Sequence, residues 1–144
     1  MDWITENIAI GNYLDAENVE LRSAGGIRSM ICLNGILRGV KPETLQLDAL
    51  ENYNLKDGPG NDPSIFRRAV QSVGHLAKRH PKLLVHCHAG RSRSVVVVTA
   101  HLMRLRRWTA DEALAYVSSR RVAALTPGIE FLLRASFLNE PRQE

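Results

Sequence analysis

Residues 83–94 read LLVHCHAGRSRS. The apolar run Leu83-Leu84-Val85 has strand character and leads straight into Cys87, which has a histidine on each side. Gly90 then supplies a turn residue, and from Ser92 or Arg93 an apolar pattern starts a long helix that reaches about Arg107. Strand, small-residue loop and helix start, in that order, place a cysteine where a helix presents unpaired backbone N–H groups.

Outward from this stretch, strands and helices alternate. Upstream, Pro81 ends a helix from about Ser64 to Arg79 that carries Ile65, Phe66, Ala69, Val70, Val73, Leu76 and Ala77 on one face, and Lys82 to His86 is the strand that follows. Ile8 to Ile10 is a short strand closed by Gly11-Asn12. Asp15 to Ala24 is a helix stopped by Gly25-Gly26, and Ile27 to Leu33 is a buried strand. Residues 36–50 read as a loop with a short helix after Pro42, Tyr53 to Leu55 as a third strand, and Lys56 to Pro63 (KDGPGNDP) as a loop. Downstream, Thr109 and Glu112 fit a capping box, and Thr126-Pro127 starts the last helix with Thr126 as its cap. The expected fold is α/β: a central, mostly parallel sheet of about four to five strands flanked by helices, with the loop after Cys87 between a strand and a helix. In such sheets ligands bind beyond the C-terminal strand ends, where Cys87 lies.

The chemistry of the loop follows from its residues. A run of amides from His88 to Arg93 at a helix start forms an anion site, and Gly90 lets the backbone fold back without a Cβ clash. A cysteine at the foot of that cradle is favoured as thiolate. The planar fork of Arg93 matches phosphate oxygens in bidentate fashion and adds charge that stabilises thiolate and transition state. Cys87 therefore reads as a nucleophile in a phosphate site. The bland alternative, a small buried cysteine beside a cationic loop, leaves the spacing of Cys87, Gly90, Arg93 and Ser94 unexplained.

Composition narrows the classes. The 144 residues suit one domain, expected to span 1–144; 44% are hydrophobic and 24% charged, and the net charge is +4. That surplus suits an anionic ligand and is too small to argue for nucleic acid. Two cysteines, Cys32 and Cys87, make neither a disulfide scaffold nor a zinc pattern. The start MDWITENIAIG lacks a signal-peptide pattern, and Val95 to Ala100 is far too short to span a membrane. The expectation is a cytoplasmic monomer without membrane insertion.

The pattern His-Cys-x5-Arg-Ser, with His86, Cys87, Arg93 and Ser94, resembles the signature of the protein tyrosine phosphatase superfamily. HCHAGRSRS followed by a long apolar helix and His101-Leu102-Met103 is similar to the dual-specificity phosphatases in particular. The likeness extends over roughly residues 4 to 138. Near the end it departs: that family often has an asparagine in the turn before the final helix, where Thr126-Pro127-Gly128 stands here.

The resemblance implies a general acid on a loop some thirty residues before the cysteine. Asp57 precedes Cys87 by thirty positions; Asp62, twenty-five before, is the rival. Asp62 stands before Pro63 and a helix, a cap-then-proline arrangement, which leaves Asp57 as the better candidate. The resemblance gives Ser94 a hydrogen bond to the cysteine sulfur, with helix capping as the alternative, and makes His86 an ordering residue of the loop, with a core histidine as the alternative. His88, Ala89, Gly90, Arg91, Ser92 and Arg93 would form the phosphate loop, Ser92 through its amide only. Some members of the superfamily shield an oxidised nucleophile by a disulfide to a cysteine on a neighbouring strand, and Cys32 would fill that role here; a buried core cysteine is the alternative.

The implied activity is a cysteine-dependent phosphatase acting on phosphorylated proteins, with no metal or other cofactor. The chain has no spare segment for the tyrosine-lined loop that deepens the pocket of larger tyrosine phosphatases. A shallow pocket, open to phosphoserine and phosphothreonine as well as phosphotyrosine, is expected. Basic residues at His88 and Arg91, and an AGRSRS string similar to that of phosphatidylglycerophosphate phosphatases, keep a phospholipid substrate as the alternative. A catalytically inactive phosphate-binding module is a third reading, weakened by the presence of a candidate for every catalytic role.

Overall fold

Strands that end flush with one another create a single edge on which loops can meet. The computed structural model, which describes residues 1–140, has five strands, four of which do this: Asp2–Trp3 (β1), Ile8–Gly11 (β2), Ser29–Cys32 (β3), Ala49–Asn52 (β4) and Leu83–His86 (β5). Their order in the sheet is β1-β2-β5-β3-β4, with β1 antiparallel to β2 and the other pairs parallel. His86 lies opposite both Gly11 and Cys32, and Cys32 opposite Asn52. Four C-terminal strand ends are therefore level, and Cys87 leaves from the central one. The α/β architecture with a five-stranded, mostly parallel sheet is the one the sequence predicts.

Period-two alternation sends successive strand residues to opposite faces. Ile8, Ile10, Ile31, Leu33, Leu83 and Val85 share a core with Pro63–Arg79 (α3), Arg93–Arg106 (α4) and Ala110–Ser118 (α5). Ala9, Met30, Cys32 and Leu84 join a smaller core with Ala16, Ile27, Leu37 and Leu47. Every residue of α4 from Ser94 to Met103 is buried. This burial explains how a run of four valines, poor helix formers in isolation, holds a helix. No helix among the described residues is long and apolar enough to cross a membrane.

Some sequence expectations need correction. The first helix is two helices, Tyr13–Glu17 (α1) and Val19–Gly25 (α2). Asn18 breaks the run: its backbone is extended and its side chain accepts from the Leu21 amide, capping α2. The third strand is Ala49–Asn52, earlier than Tyr53 to Leu55. Yet the Tyr53 and Leu55 amides still donate to Cys32 and Leu33 carbonyls, so pairing continues irregularly past the strand. β1 is an addition that the opening residues did not signal. The Thr109–Glu112 capping box is present in both directions.

The last helix does not begin at Thr126. The segment holds two 3-10 turns, Ile129–Arg134 and Ser136–Asn139, and the residue before the first is Gly128 at φ 96°. A Cβ at Gly128 would meet the Pro59 ring at 2.8 Å, so the turn is shaped by contact with the loop 56–63. The Thr126 amide is occupied elsewhere, donating to Ser92 Oγ at 3.0 Å.

Phe66 ties the larger core together. It is fully buried and meets the Phe137 ring edge-on at 5.8 Å. Phe66→Ala should cost about 3–5 kcal/mol, read as a lower midpoint in urea with an unchanged slope; a loss below about 1 kcal/mol would mean that the core closes over the gap.

Candidate active site

A backbone loop that presents amides on one side must dispose of its carbonyls on the other. The loop after Cys87 does this completely. The His88 carbonyl accepts from the Tyr13 amide, those of Ala89 and Gly90 from Arg121, that of Arg91 from the Ala124 amide, and that of Ser92 from Val96. None of the amides from His88 to Arg93 donates to any group among the described residues. The carbonyls are engaged outside and the amides are unengaged inside, which is the electrostatics of an anion site.

Gly90 makes the geometry possible. Its φ is 69°, and a Cβ there would run into the Gly11 carbonyl and the Arg121 guanidinium. Only glycine lets the loop lie against the end of β2.

Cys87 is 2% exposed, and its Sγ lies 3.2 Å from Ser94 Oγ. Ser94 thus meets the sulfur; the helix residue with cap position is Ser92, whose side chain makes no capping bond. Ser92 was expected to contribute its amide only, yet its hydroxyl takes the Thr126 amide and ties the loop to residues 124–126. Arg93 donates from one Nη to the Leu55 carbonyl at 3.3 Å, and its Nε is buried without a partner. Part of the guanidinium is therefore unspent, facing a cavity of about 380 Å³.

Cys87, His88, Ala89, Arg91, Ser92 and Arg93 line that cavity on one side, and Asp57, Ala124 and Thr126 on the other. A wider cleft of about 870 Å³ runs along α3 and includes none of these residues; the chemistry marks the smaller one. The two candidate aspartates separate. Asp62 caps α3, accepting from the Ser64 amide at 2.9 Å and its hydroxyl at 2.8 Å, which hold its carboxyl below the usual range. Asp57 lines the cavity, and its carboxylate has no hydrogen bond or ion pair among the described residues.

His86 is fully buried and neither ring nitrogen has a partner. Burial pushes it down to about 4, against weaker opposing pulls from the Cys87 backbone and Asp15. It is a neutral core histidine beneath the loop. His88 is exposed and stacks on Tyr13, with ring centroids 4.5 Å apart. Cys32 and Cys87 are both free thiols. Cys32 sits in the smaller core with its Sγ 3.2 Å from Asn34 Oδ1, while Cys87 belongs to the larger core.

Sequence reading missed Arg121. This side chain, 10% exposed, donates to the Gly90 carbonyl at 2.8 Å and the Ala89 carbonyl at 3.2 Å, and pairs with Asp2 at 3.1 Å. It also missed Tyr13 and Ala124, and it read Thr126 as a helix cap, not as the donor to Ser92. All lie more than thirty residues from the loop positions they touch, and no local pattern marks them.

Comparison with known proteins agrees with this geometry. The family model "Dual specificity phosphatase, catalytic domain" matches residues 50–135. The tyrosine-protein phosphatase yvh1 of Schizosaccharomyces pombe is 37% identical over 134 residues, 90% of this chain and 38% of that protein. The dual specificity protein phosphatase PHS1 of Arabidopsis thaliana is 36% identical over 113 residues, 76% of this chain and 12% of that one. The chain thus spans less than half the length of either relative. Among solved structures, a mouse putative dual specificity phosphatase complexed with zinc tungstate superposes with a TM-score of 0.79 at 28% identity, over 92% of this chain and 83% of that one.

Arg121→Ala should weaken binding of inorganic phosphate on the order of tenfold by calorimetry, with Arg121→Lys between; unchanged affinity would show that the loop keeps its shape unaided. The His86 shift gives a pH dependence. Its folded value lies below the unfolded 6.5, so the unfolded chain takes up the proton first. Stability should hold above pH 6.5 and fall as pH drops towards about 4, by about 3 kcal/mol in all. Urea melts of wild type and His86→Gln across that window test this; equal slopes for the two proteins would refute it.

Proposed function

We infer that this chain, which belongs to the dual-specificity phosphatase catalytic-domain family of the cysteine-based tyrosine phosphatase superfamily, is a phosphatase of phosphorylated proteins. We assign it phosphotyrosine together with phosphoserine and phosphothreonine as substrates, and residues 1–144 as one catalytic domain. The reading rests chiefly on one observation: Cys87 and the loop 88–93, whose amides are unengaged among the described residues, line one cavity with the partly unspent Arg93 guanidinium.

Cys87 as thiolate attacks phosphorus in line with the leaving oxygen. The S–P bond forms as the P–O bond breaks, and Asp57 gives its proton to the departing oxygen. The loop amides and Arg93 hold the three remaining oxygens, whose charge they stabilise in the transition state. Water then attacks the phosphocysteine. Its proton passes to Asp57, the S–P bond breaks, and Cys87 leaves as thiolate with the Ser94 hydroxyl 3.2 Å away to support it. Asp57 suits a role that both gives and takes a proton because no group among the described residues pairs with its carboxylate.

A second reading keeps this chemistry and takes a phospholipid monoester as substrate. It is favoured by His88 and Arg91, two basic side chains on the cavity wall.

The test is phosphate release, with EDTA present, from p-nitrophenyl phosphate, phosphotyrosine and phosphothreonine peptides and phosphatidylglycerophosphate. Cys87→Ser should be inactive, and Asp57→Asn should lose about 10²–10⁴-fold. Asp62→Asn, which keeps an acceptor at the cap, should stay close to wild type. Peptides turned over faster than the lipid support the first reading, and the reverse supports the second. If Asp62→Asn is the crippled variant, the acid is misassigned. An inactive wild type would leave phosphate binding as the function.

A further inference from the structure

The Asp57 carboxylate has no hydrogen bond or ion pair among the described residues to keep it in the cavity, so its position is inherited from the backbone on either side. That backbone is held by one side chain. Asn61 accepts the Lys56 amide at 2.7 Å and donates to the Lys56 carbonyl at 2.9 Å and the Gly58 carbonyl at 3.2 Å. A single amide thus grips the residues immediately before and after Asp57. The rest of the loop is bounded on both sides: Asp62 is fixed as the cap of α3, and Pro59 rests on Gly128.

We propose that Asn61 is the positioning residue for the proton donor: it closes the turn 56–61 so that Asp57 faces the leaving oxygen above Cys87. The proposal rests on the reading of Asp57 as general acid. It uses both ends of the side-chain amide, because the Oδ1 and Nδ2 contacts are made at once. A carboxylate at this position could keep the bond from the Lys56 amide but would face two carbonyl oxygens with no proton to offer. An alanine would keep nothing. In either case the loop can remain folded, since its ends are anchored elsewhere, while the carboxylate of Asp57 loses its aim. Proton transfer in the transition state depends steeply on such placement.

The role has a signature that general loosening of the loop lacks. A nitrophenolate leaves with little help from an acid, whereas a phenolate needs the proton. Misplacing Asp57 therefore penalises the poor leaving group selectively and leaves anion binding alone. Steady-state kinetics of wild type, Asn61→Ala, Asn61→Asp, Asp57→Asn and the double variant Asp57→Asn/Asn61→Ala should be compared on p-nitrophenyl phosphate and phenyl phosphate, with inorganic phosphate as competitive inhibitor. For Asn61→Ala, kcat on phenyl phosphate should fall on the order of tenfold to a hundredfold. Its kcat on p-nitrophenyl phosphate should fall far less, with the same inhibition constant for phosphate. Asn61→Asp should lie between Asn61→Ala and wild type, and the double variant should be no slower than Asp57→Asn alone.

An Asn61→Ala loss that is equal on both substrates, or accompanied by weaker phosphate inhibition, overturns the proposal. So does full activity on phenyl phosphate. If Asp57→Asn shows the leaving-group dependence and Asn61→Ala does not, the positioning role alone is wrong. If Asp57→Asn shows no such dependence, the proton-donor assignment is wrong and the role of Asn61 goes with it.

Discussion

Five carbonyl oxygens fix the shape of this site. A peptide that turns its amides towards an anion must turn its carbonyls away, and each buried carbonyl needs a donor. The donors come from across the fold: the start of α1, the side chain of Arg121 beyond the end of α5, the amide of Ala124, and the first turn of α4. The Gly11–Gly90 approach brings β2 against the loop closely enough for the Tyr13 amide to reach it. The short β1 strand, peripheral to the sheet, gains a purpose from the same constraint, because its Asp2 holds the Arg121 guanidinium from the far side. An anion site usually credited to a helix N-terminus is here an assembly of segments from both ends of the chain.

This explains what could be read from sequence and what could not. The strand, the cysteine, the glycine and the arginine stand within a dozen residues, and their roles are set by neighbours along the chain. The parallel sheet was legible because apolar strands alternated with one long amphipathic helix and one that opens on a run of four valines. Asn18 was less legible: as a helix-interior residue it is merely poor, and only its side-chain bond to Leu21 turns it into a break. β4 was displaced in the reading because Glu51 and Asn52 look like loop residues, and an edge strand tolerates them where a central one would not. Arg121 carried no signal at all, and Thr126 only the signal of a helix cap. A second arginine in Arg120-Arg121, and a threonine before a proline, have ordinary explanations until the fold delivers them to Gly90 and Ser92.

The site also carries groups that a core optimised for stability would avoid. His86 is buried neutral without a partner, Arg93 keeps a buried Nε unpaired, and a run of amides stays unengaged. Such local conflicts concentrate where function needs unspent donors. What offsets them lies next door. α4, whose first residue is Arg93, is buried along almost its whole length between the sheet, α3, α5 and the C-terminal turns. Its valines give the loop a rigid base, so the loop cannot satisfy its amides by collapsing inward without tearing a helix from the core.

The two aspartates of the 56–63 loop make the same point at the level of single groups. They are five residues apart and chemically identical, yet their surroundings assign them opposite work. Asp62 accepts the Ser64 amide and hydroxyl through Oδ1, which stabilise its charge and hold its place at the head of α3. A carboxylate so held is stabilised in its charged form and tied to the helix start. Asp57 has no hydrogen bond or ion pair among the described residues. Its freedom would be useless if the backbone beneath it wandered, and the Asn61 bridge between Lys56 and Gly58 removes that freedom from the backbone while leaving it to the carboxylate. On the proposed reading, structure and chemistry are divided between residues: Asp62 and Asn61 bear the loop, and Asp57, with no hydrogen bond or ion pair among the described residues, is left for the proton.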